Sequence, residues 1–376
     1  MKLLSKNFSN NYAIKLLVKF GKGAVIESPL ELKKQFIQQL NEIIKNIFGG
    51  DNMKDNNFDK ISTGINNVVK KHLKGLTVKN IIDRGEWVRK IYEVKLSNDN
   101  TVFFKIVTNA ELASGARHEY NVVNMLNNNN LPAPKVLVID ETCQYIKYPF
   151  LVQEKAGGKR LGDLLEVVSS KEIIEIYRQL GHFYKKLHSI KGKLSGIWDE
   201  NNPMDVKYPI SPNKYMFNAE IINGSGKSAY ENNLITKKQY DQIIKLWSEN
   251  MRYLKNHEPS MVHVSPFYWN IYLEKKARWE VTKILSLGDI MWWDTAYDIS
   301  TLKYPPFGQY NKKYWNAFLE SYGKEPEEKR ILLYYILHLL CTSMGVYMEP
   351  QKYKKNMDKR KLADELDKAI NKLKFI

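Results

Sequence analysis

The sequence predicts an α+β fold in which a small β-rich lobe is followed by a larger, mainly helical one, with a helical extension ahead of both. Two observations carry this. β-branched and aromatic residues concentrate early, over Val88–Val94 and Val102–Val107, whereas from about residue 161 onward apolar residues recur at helical spacing. With 376 residues, 43% of them hydrophobic and 26% charged, the chain can bury a sizeable core. The expected division is an extension over 1–55, a β-rich lobe with its linker over 56–156, and a helical lobe over 157–376.

In the extension, Leu30, Phe36, Leu40, Ile43, Ile44 and Ile47 fall on one helical face behind a Ser28-Pro29 start, and Gly49-Gly50-Asp51 marks a turn. A second helix is expected over 57–75. The two β clusters that follow are separated by Ser97-Asn98-Asp99-Asn100, a composition suited to a hairpin. A helix over 109–127 and strands near 135–139 and 149–154 complete this lobe. Helices are then expected over 161–168, 171–190, 213–224, 236–256, 311–322, 327–347 and 357–374, interrupted by one strand-rich island at 261–286.

Composition excludes several classes of protein. The apolar stretch Ala13–Val18 is broken by Lys15 and leads to no small-residue cleavage site, so no signal peptide is expected. The longest apolar run, Ile331–Cys341, is too short to cross a bilayer and contains His338. Cys143 and Cys341 alone make neither a disulfide framework nor a metal knuckle, which suits the reducing cytoplasm. The net charge of +17 would suit an anionic partner. The basic residues are dispersed, however, and Lys and Asn are abundant throughout, so much of this charge reads as solvated surface. No nucleic-acid reader motif accompanies it, and nucleic acid is not the expected partner.

Several short motifs occur in order at informative spacings. They are Gly85–Val94 (GEWVRKIYEV), Lys105 in VFFKI, Glu119 in RHEYNVV, Pro149–Ala156 (PFLVQEKA), and Leu180–His188 followed by Ser195-Gly196. From about residue 75 to 347 this series resembles the aminoglycoside phosphotransferases, and among them the hygromycin-type enzymes. The resemblance implies a bilobal, protein-kinase-like fold. It likens Gly85–Val94 to the phosphate-covering hairpin, Lys105 to the phosphate-binding lysine and Glu119 to the glutamate that pairs with it. Gln153, Glu154 and Ala156 then lie in the linker that frames the nucleotide base.

Two further stretches depart from the family pattern. His263–Asn270 (HVSPFYWN) resembles the segment of histidine, small residue, aspartate, four variable residues and asparagine, with His263 and Asn270 at the matching separation and Ser265 in the place of the catalytic aspartate. Leu285–Ser300 (LSLGDIMWWDTAYDIS) resembles the metal-binding segment. Aligning Met291, Asp294, Tyr297 and Asp298 puts Ser286 at the metal-binding aspartate, whereas using Asp289 instead would delete three residues from a constrained loop.

In phosphoryl transfer of this type the protein contributes positioning and charge. One aspartate and the asparagine hold magnesium, and the other aspartate orients the acceptor hydroxyl and takes its proton. A neutral Ser286 brings no charge to a dication that prefers anionic oxygen, and Ser265 cannot act as a base near neutral pH. His263 is expected to be architectural, Asn270 a vestigial metal position, and Asp298 an anchor within the helical lobe. Gly85 is the only glycine left in the hairpin, and Glu86 beside it would repel phosphate. Trp269, Trp292 and Trp293 either fill space near the site or belong to the core.

Two readings follow. In the first the chain is a catalytically degenerate pseudokinase that binds or scaffolds a protein or acidic peptide. Relatives of the family occur beside peptide-modifying enzymes, so a peptide-modification pathway is one setting. ATP is the nucleotide such a site would retain, and magnesium is disfavoured. In the second the chain is an active ATP-dependent phosphotransferase acting on a small-molecule or peptide hydroxyl, with Asp289 or Asp294 as displaced metal ligands. The sequence leaves open whether it is an enzyme.

Overall fold

The structure is a computed structural model that describes residues 51–85, 89–108, 115–199, 201–255, 257–304, 311–348 and 359–376. The helix expected over 30–47 and the hairpin residues Glu86 and Trp87 lie outside the described residues. The chain divides into two compact units, Met1–Gly64 and Ile65–Ile376. The described part of the first unit is helical, belonging to the helix Asp51–His72.

The second unit is α+β, with a β-sheet region followed by a helical one. Its first sheet contains β1 (Val78–Asp83), β2 (Lys90–Leu96), β3 (Thr101–Ile106), β4 (Val136–Asp140) and β5 (Phe150–Glu154), in the antiparallel order β1-β2-β3-β5-β4. Strand alternation sets the faces. Val102, Phe104 and Ile106 are buried on one face of β3, which leaves Lys105 on the other. The β2–β3 turn closes where expected, with Asp99 at φ 65° and the Leu96 N–H donating to Asn100 O at 2.8 Å.

The helix Ala116–Asn128 buries Ala116, Val122, Val123 and Leu126, together with the polar His118 and Glu119. In the helical region, Ser169 and Glu172 form a reciprocal capping box at the start of the helix Ser170–Ser189. Ile173, Ile176, Leu180, Phe183, Tyr184 and Leu187 of that helix are buried, and it packs against the helix Lys312–Tyr322. The helix Glu328–Met348 has every residue from Ile331 to Leu340 buried, including His338, so the longest apolar run of the sequence is a core helix. No helix among the described residues is long and apolar enough to cross a membrane.

Two small sheets complete this region. One has the order β11-β10-β6, from β6 (Lys159–Arg160), β10 (Ile271–Lys275) and β11 (Trp279–Ile284). The other has the order β8-β7-β12-β9, from β7 (Gly196–Trp198), β8 (Val206–Pro209), β9 (Ser260–Val262) and β12 (Met291–Trp293). The structure differs from the sequence expectation mainly in such short pieces. β7, β8, β12 and the helices Ser225–Glu231 and Ala296–Lys303 had not been expected, because elements of three to eight residues carry too little periodicity to be seen. The helix expected over 161–168 is only Leu161–Leu164, and that over 213–224 is one α-turn followed by a π-helix over Met216–Ile222.

Candidate functional site

On the sheet side, Lys105 Nζ donates to Glu119 Oε1 at 2.5 Å. Gln153 Nε2 donates to the same oxygen at 3.0 Å, and Arg89 Nη1 lies 3.6 Å from the other, Glu119 Oε2. Burial opposes charge on Glu119, but Lys105 and Arg89, with the hydrogen bonds from Lys105 and Gln153, outweigh it and hold the carboxyl below its ordinary value. Lys105, Glu119 and Gln153 therefore form one cluster. Glu154 faces elsewhere: its side chain accepts from the Lys135 N–H at 3.0 Å and pairs with Lys283 at 2.7 Å. Ala156 is buried at the end of the linker.

On the helical side, Asp298 organises the loop that carries Ser265. It is fully buried. Its Oδ2 accepts from the His263 N–H at 2.6 Å and its Oδ1 from the Val264 N–H at 2.8 Å. His188 Nε2 lies 3.2 Å from Oδ2, and His188 Nδ1 is 2.9 Å from the Tyr322 hydroxyl. The two amide bonds hold Val264 at φ 70°, an unfavourable conformation for a β-branched residue. His263 Nε2 donates to Leu285 O at 2.8 Å, and burial lowers its pKa, so it is a neutral, architectural histidine. Asn270 Nδ2 donates to Ser265 O at 2.9 Å. His263, Ser265 and Asn270 are thus gathered in one loop fixed from below by Asp298.

Ser286 follows β11 with φ 64° and its Oγ 3.4 Å from Asp289 Oδ2, and Asp289 is exposed. The adjoining backbone docks on the sheet side, where His118 Nε2 donates to Ile290 O at 2.9 Å and Arg89 Nη2 reaches Gly288 O at 3.5 Å. Asp294 does not reach this loop as a displaced ligand would have to. It is fully buried, paired with Arg330 (Nε to Oδ2, 3.1 Å), and its Oδ1 also accepts from the Ala296 N–H at 2.9 Å. Trp292 and Trp293 belong to the core. The Trp292 ring stacks on Trp198 with centroids 4.9 Å apart, and its N–H donates to Pro203 O at 2.9 Å. Trp269 is 40% exposed and stacks on Phe267 in the Ser265 loop.

A magnesium site needs several anionic oxygens converging on one point. Ser265, Ser286 and Asn270 bring none, and Asp289 brings a single exposed carboxylate. Among the described residues no three His, Cys, Asp or Glu side chains cluster to hold a metal ion. The donor set does not fit the metal.

The phosphotransferase enzyme family, APH, matches residues 82–331, two thirds of the chain and all of the geometry just described. The chain belongs to this family. Solved structures agree on the fold. Aminoglycoside 2'-phosphotransferase-IIIa in its GDP complex is 13% identical with a TM-score of 0.56, over 85% of this chain and 99% of its own. The ternary complex of streptomycin, ATP and APH(2″)-IIa is 15% identical with a TM-score of 0.55, over 81% and 95%. A choline/ethanolamine kinase family protein from Mesorhizobium loti is 14% identical with a TM-score of 0.52, over 83% and 94%. At these identities the likeness establishes the kinase-like fold and nothing finer. No curated protein matches the sequence.

Within this phosphotransferase-family fold, sequence reasoning overlooked Arg89, His118 and Arg330. Arg89 lies inside the segment Gly85–Val94, one residue before β2 and two before Ile91, which pairs with Lys105, and that spacing was the available signal. Nothing local marks Arg330, whose partner Asp294 is 36 residues earlier.

Proposed function

We propose that this member of the family is catalytically degenerate, closest to the hygromycin-type enzymes, and acts by binding rather than by phosphoryl transfer. Residues 56–156 and 157–376 are its two lobes, and 1–55 an added segment. One observation carries the reading: the two buried carboxylates Asp294 and Asp298 of the helical side are already committed. Asp298 holds backbone amides and Asp294 holds Arg330, while Ser265 and Ser286 stand neutral where the family pattern has aspartates. Losing a general base alone costs about 10²- to 10⁴-fold in rate.

The Lys105–Glu119 pair with Gln153 supports a retained phosphate-binding function, and the GDP and ATP complexes of the structural neighbours support a nucleotide as the occupant. The proposed partner is an acidic peptide or protein, which a chain of net charge +17 would attract, and the proposed setting is a peptide-modification pathway in the cytoplasm. The active alternative keeps one candidate, Asp289, as its displaced ligand. Incubation with ATP and magnesium decides between them. No phosphate release or transfer to any offered hydroxyl is expected. Turnover that disappears in Asp289→Asn would overturn the degenerate reading. Binding to an acidic peptide is expected to weaken with added salt, and affinity indifferent to salt would count against such a partner.

A further inference from the structure

Exposed apolar side chains gather on and around the β7–β8 hairpin. Leu194, Ile197, Met204, Tyr208 and Tyr215 are all exposed between residues 194 and 215, whereas Ile82, Val167 and Trp269 stand singly in the chain. Ile197 and Tyr208, 45% and 58% exposed, lie directly opposite each other in the antiparallel pair, so they share one face. The neighbours of Ile197, Gly196 and Trp198, are buried, and the Trp198 ring stacks on Trp292. The hairpin therefore turns one face to the core and presents the other, apolar, from a rigid base. β8 is the outer strand of its sheet. The Ile210 N–H is taken by Ser195 O at 2.9 Å, so position 209 faces outward, and Pro209 has no N–H to offer there. A proline at that place opposes the addition of a further strand. What this surface presents is side chains rather than a strand edge.

The charges of this segment leave cations exposed. Asp205 pairs with Lys193 at 2.8 Å and accepts from Asn202 Nδ2 at 2.6 Å, and Asp199 accepts the N–H groups of Asn201 and Asn202 at 2.8 and 3.3 Å. Both carboxylates are engaged within the turn of the hairpin. Lys207 in β8 and Lys214 in the short helix Pro212–Tyr215 are exposed, and among the described residues neither has a carboxylate partner. The Lys207 ammonium lies over the Tyr208 ring, 5.6 Å from its centroid. We propose that this hairpin is a docking surface for an acidic peptide segment, whose apolar residues pack on Ile197 and Tyr208 while its carboxylates pair with Lys207 and Lys214. A contiguous exposed apolar patch with a polar rim is the mark of such a surface, and tyrosine brings large contact area at little cost in side-chain freedom. The Trp198–Trp292 stack fixes the platform before binding, which lowers the cost of ordering it. An anionic bilayer fits less well, because Asp199 and Asp205 belong to the same hairpin and would be repelled by it. The inference gives a surface to the acidic partner proposed above and rests on that partner, not on the loss of phosphoryl transfer.

The test is fluorescence anisotropy of the full chain with labelled synthetic peptides of about ten residues, enough extended chain to cross the hairpin. One alternates glutamate with leucine, a second glutamate with serine, and a third lysine with leucine. The first is expected to bind about tenfold or more tightly than either control and to weaken with added salt. Ile197→Ser combined with Tyr208→Ser, and separately Lys207→Glu combined with Lys214→Glu, should each weaken it about tenfold. All four side chains are exposed, so melting temperatures should change little. Hydrogen exchange on the unaltered chain needs no variant: the amides of β7 and β8 should exchange more slowly once the glutamate-leucine peptide is bound. Affinity that both folded variants retain, or binding that leaves exchange in the hairpin unchanged, would overturn the docking surface and leave the acidic partner standing. Failure of the parent to bind either glutamate peptide would sink the acidic partner itself, and equal affinity for the lysine-leucine peptide would overturn the assigned charge. Phosphatidylserine vesicles that capture the parent but not the Ile197 and Tyr208 variant, with no peptide bound, would hand the surface to a membrane and overturn the proposal.

Discussion

Asp298→Asn tests the support beneath the Ser265 loop. The carboxylate accepts the His263 N–H at 2.6 Å and the Val264 N–H at 2.8 Å and faces His188 Nε2 at 3.2 Å. An asparagine keeps one acceptor oxygen. Its less costly orientation leaves that oxygen to His263 and His188 and turns the amide NH₂ toward the Val264 N–H, setting donor against donor. An unsatisfied buried donor costs about 1–3 kcal/mol, and each remaining bond loses about 1 kcal/mol of charge assistance. Relief of the desolvation of a buried charge offsets part of this. The net loss is about 3 kcal/mol, or a fall in melting temperature of about 6–12 °C on the scale of domains slightly smaller than this unit. Thermal melting followed by circular dichroism reads it directly. Hydrogen exchange adds a local signal, because Val264, held at φ 70° by the lost bond, should relax and exchange faster. A loss below about 1 kcal/mol with unchanged exchange at Val264 would refute the claim that Asp298 holds this loop in shape.

Restoring carboxylates at both serines, Ser265→Asp with Ser286→Asp, should create a magnesium-dependent rise in melting temperature that the parent lacks. The left-handed backbone at Ser286 suits aspartate, and a doubled variant indifferent to magnesium would show that the aspartate positions are misassigned. Glu119 is held below its ordinary 4.5. Its ion pairs therefore stabilise the fold above that pH and are lost as the pH falls through the lowered value. Melting curves of Glu119→Gln should start lower than those of the parent at neutral pH and decline less steeply below about pH 4.5, and parallel slopes would count against the pairing. Burial pushes His338 from 6.5 down to about 4. The unfolded chain then takes up a proton that the folded one refuses, so stability should fall as the pH drops from 6.5 towards 4. His338→Gln can still donate to Tyr297 O, now 3.2 Å from His338 Nε2, and should flatten that part of the pH profile. An unaltered profile would assign the acid sensitivity to other groups.

Much of the fold was legible because its signals are local. Alternation in TVFFKI put Lys105 on the opposite face from Val102, Phe104 and Ile106, and the helical period after residue 161 announced the larger lobe. The spacing of His263 and Asn270 frames Ser265 in the sequence, and in the structure the Asn270 side chain bonds to the Ser265 carbonyl. Reading Trp292 as a cleft-filling residue was an open alternative that the sequence could not close, since a tryptophan looks the same in a core as in a cleft. Its stack on Trp198, nearly a hundred residues away, decided the matter.

By itself the sequence determined the order of the two lobes and the kinase-like identity of the fold. The tertiary structure decided which charges remain available. Asp294 is consumed by Arg330, Asp298 by the amides of His263 and Val264, and Arg89 is delivered to Gly288 across 199 residues of chain. Local periodicity follows from backbone geometry and is written into neighbouring residues. The balance of charge in a cleft depends on distances between residues far apart in the chain, and only folding fixes those.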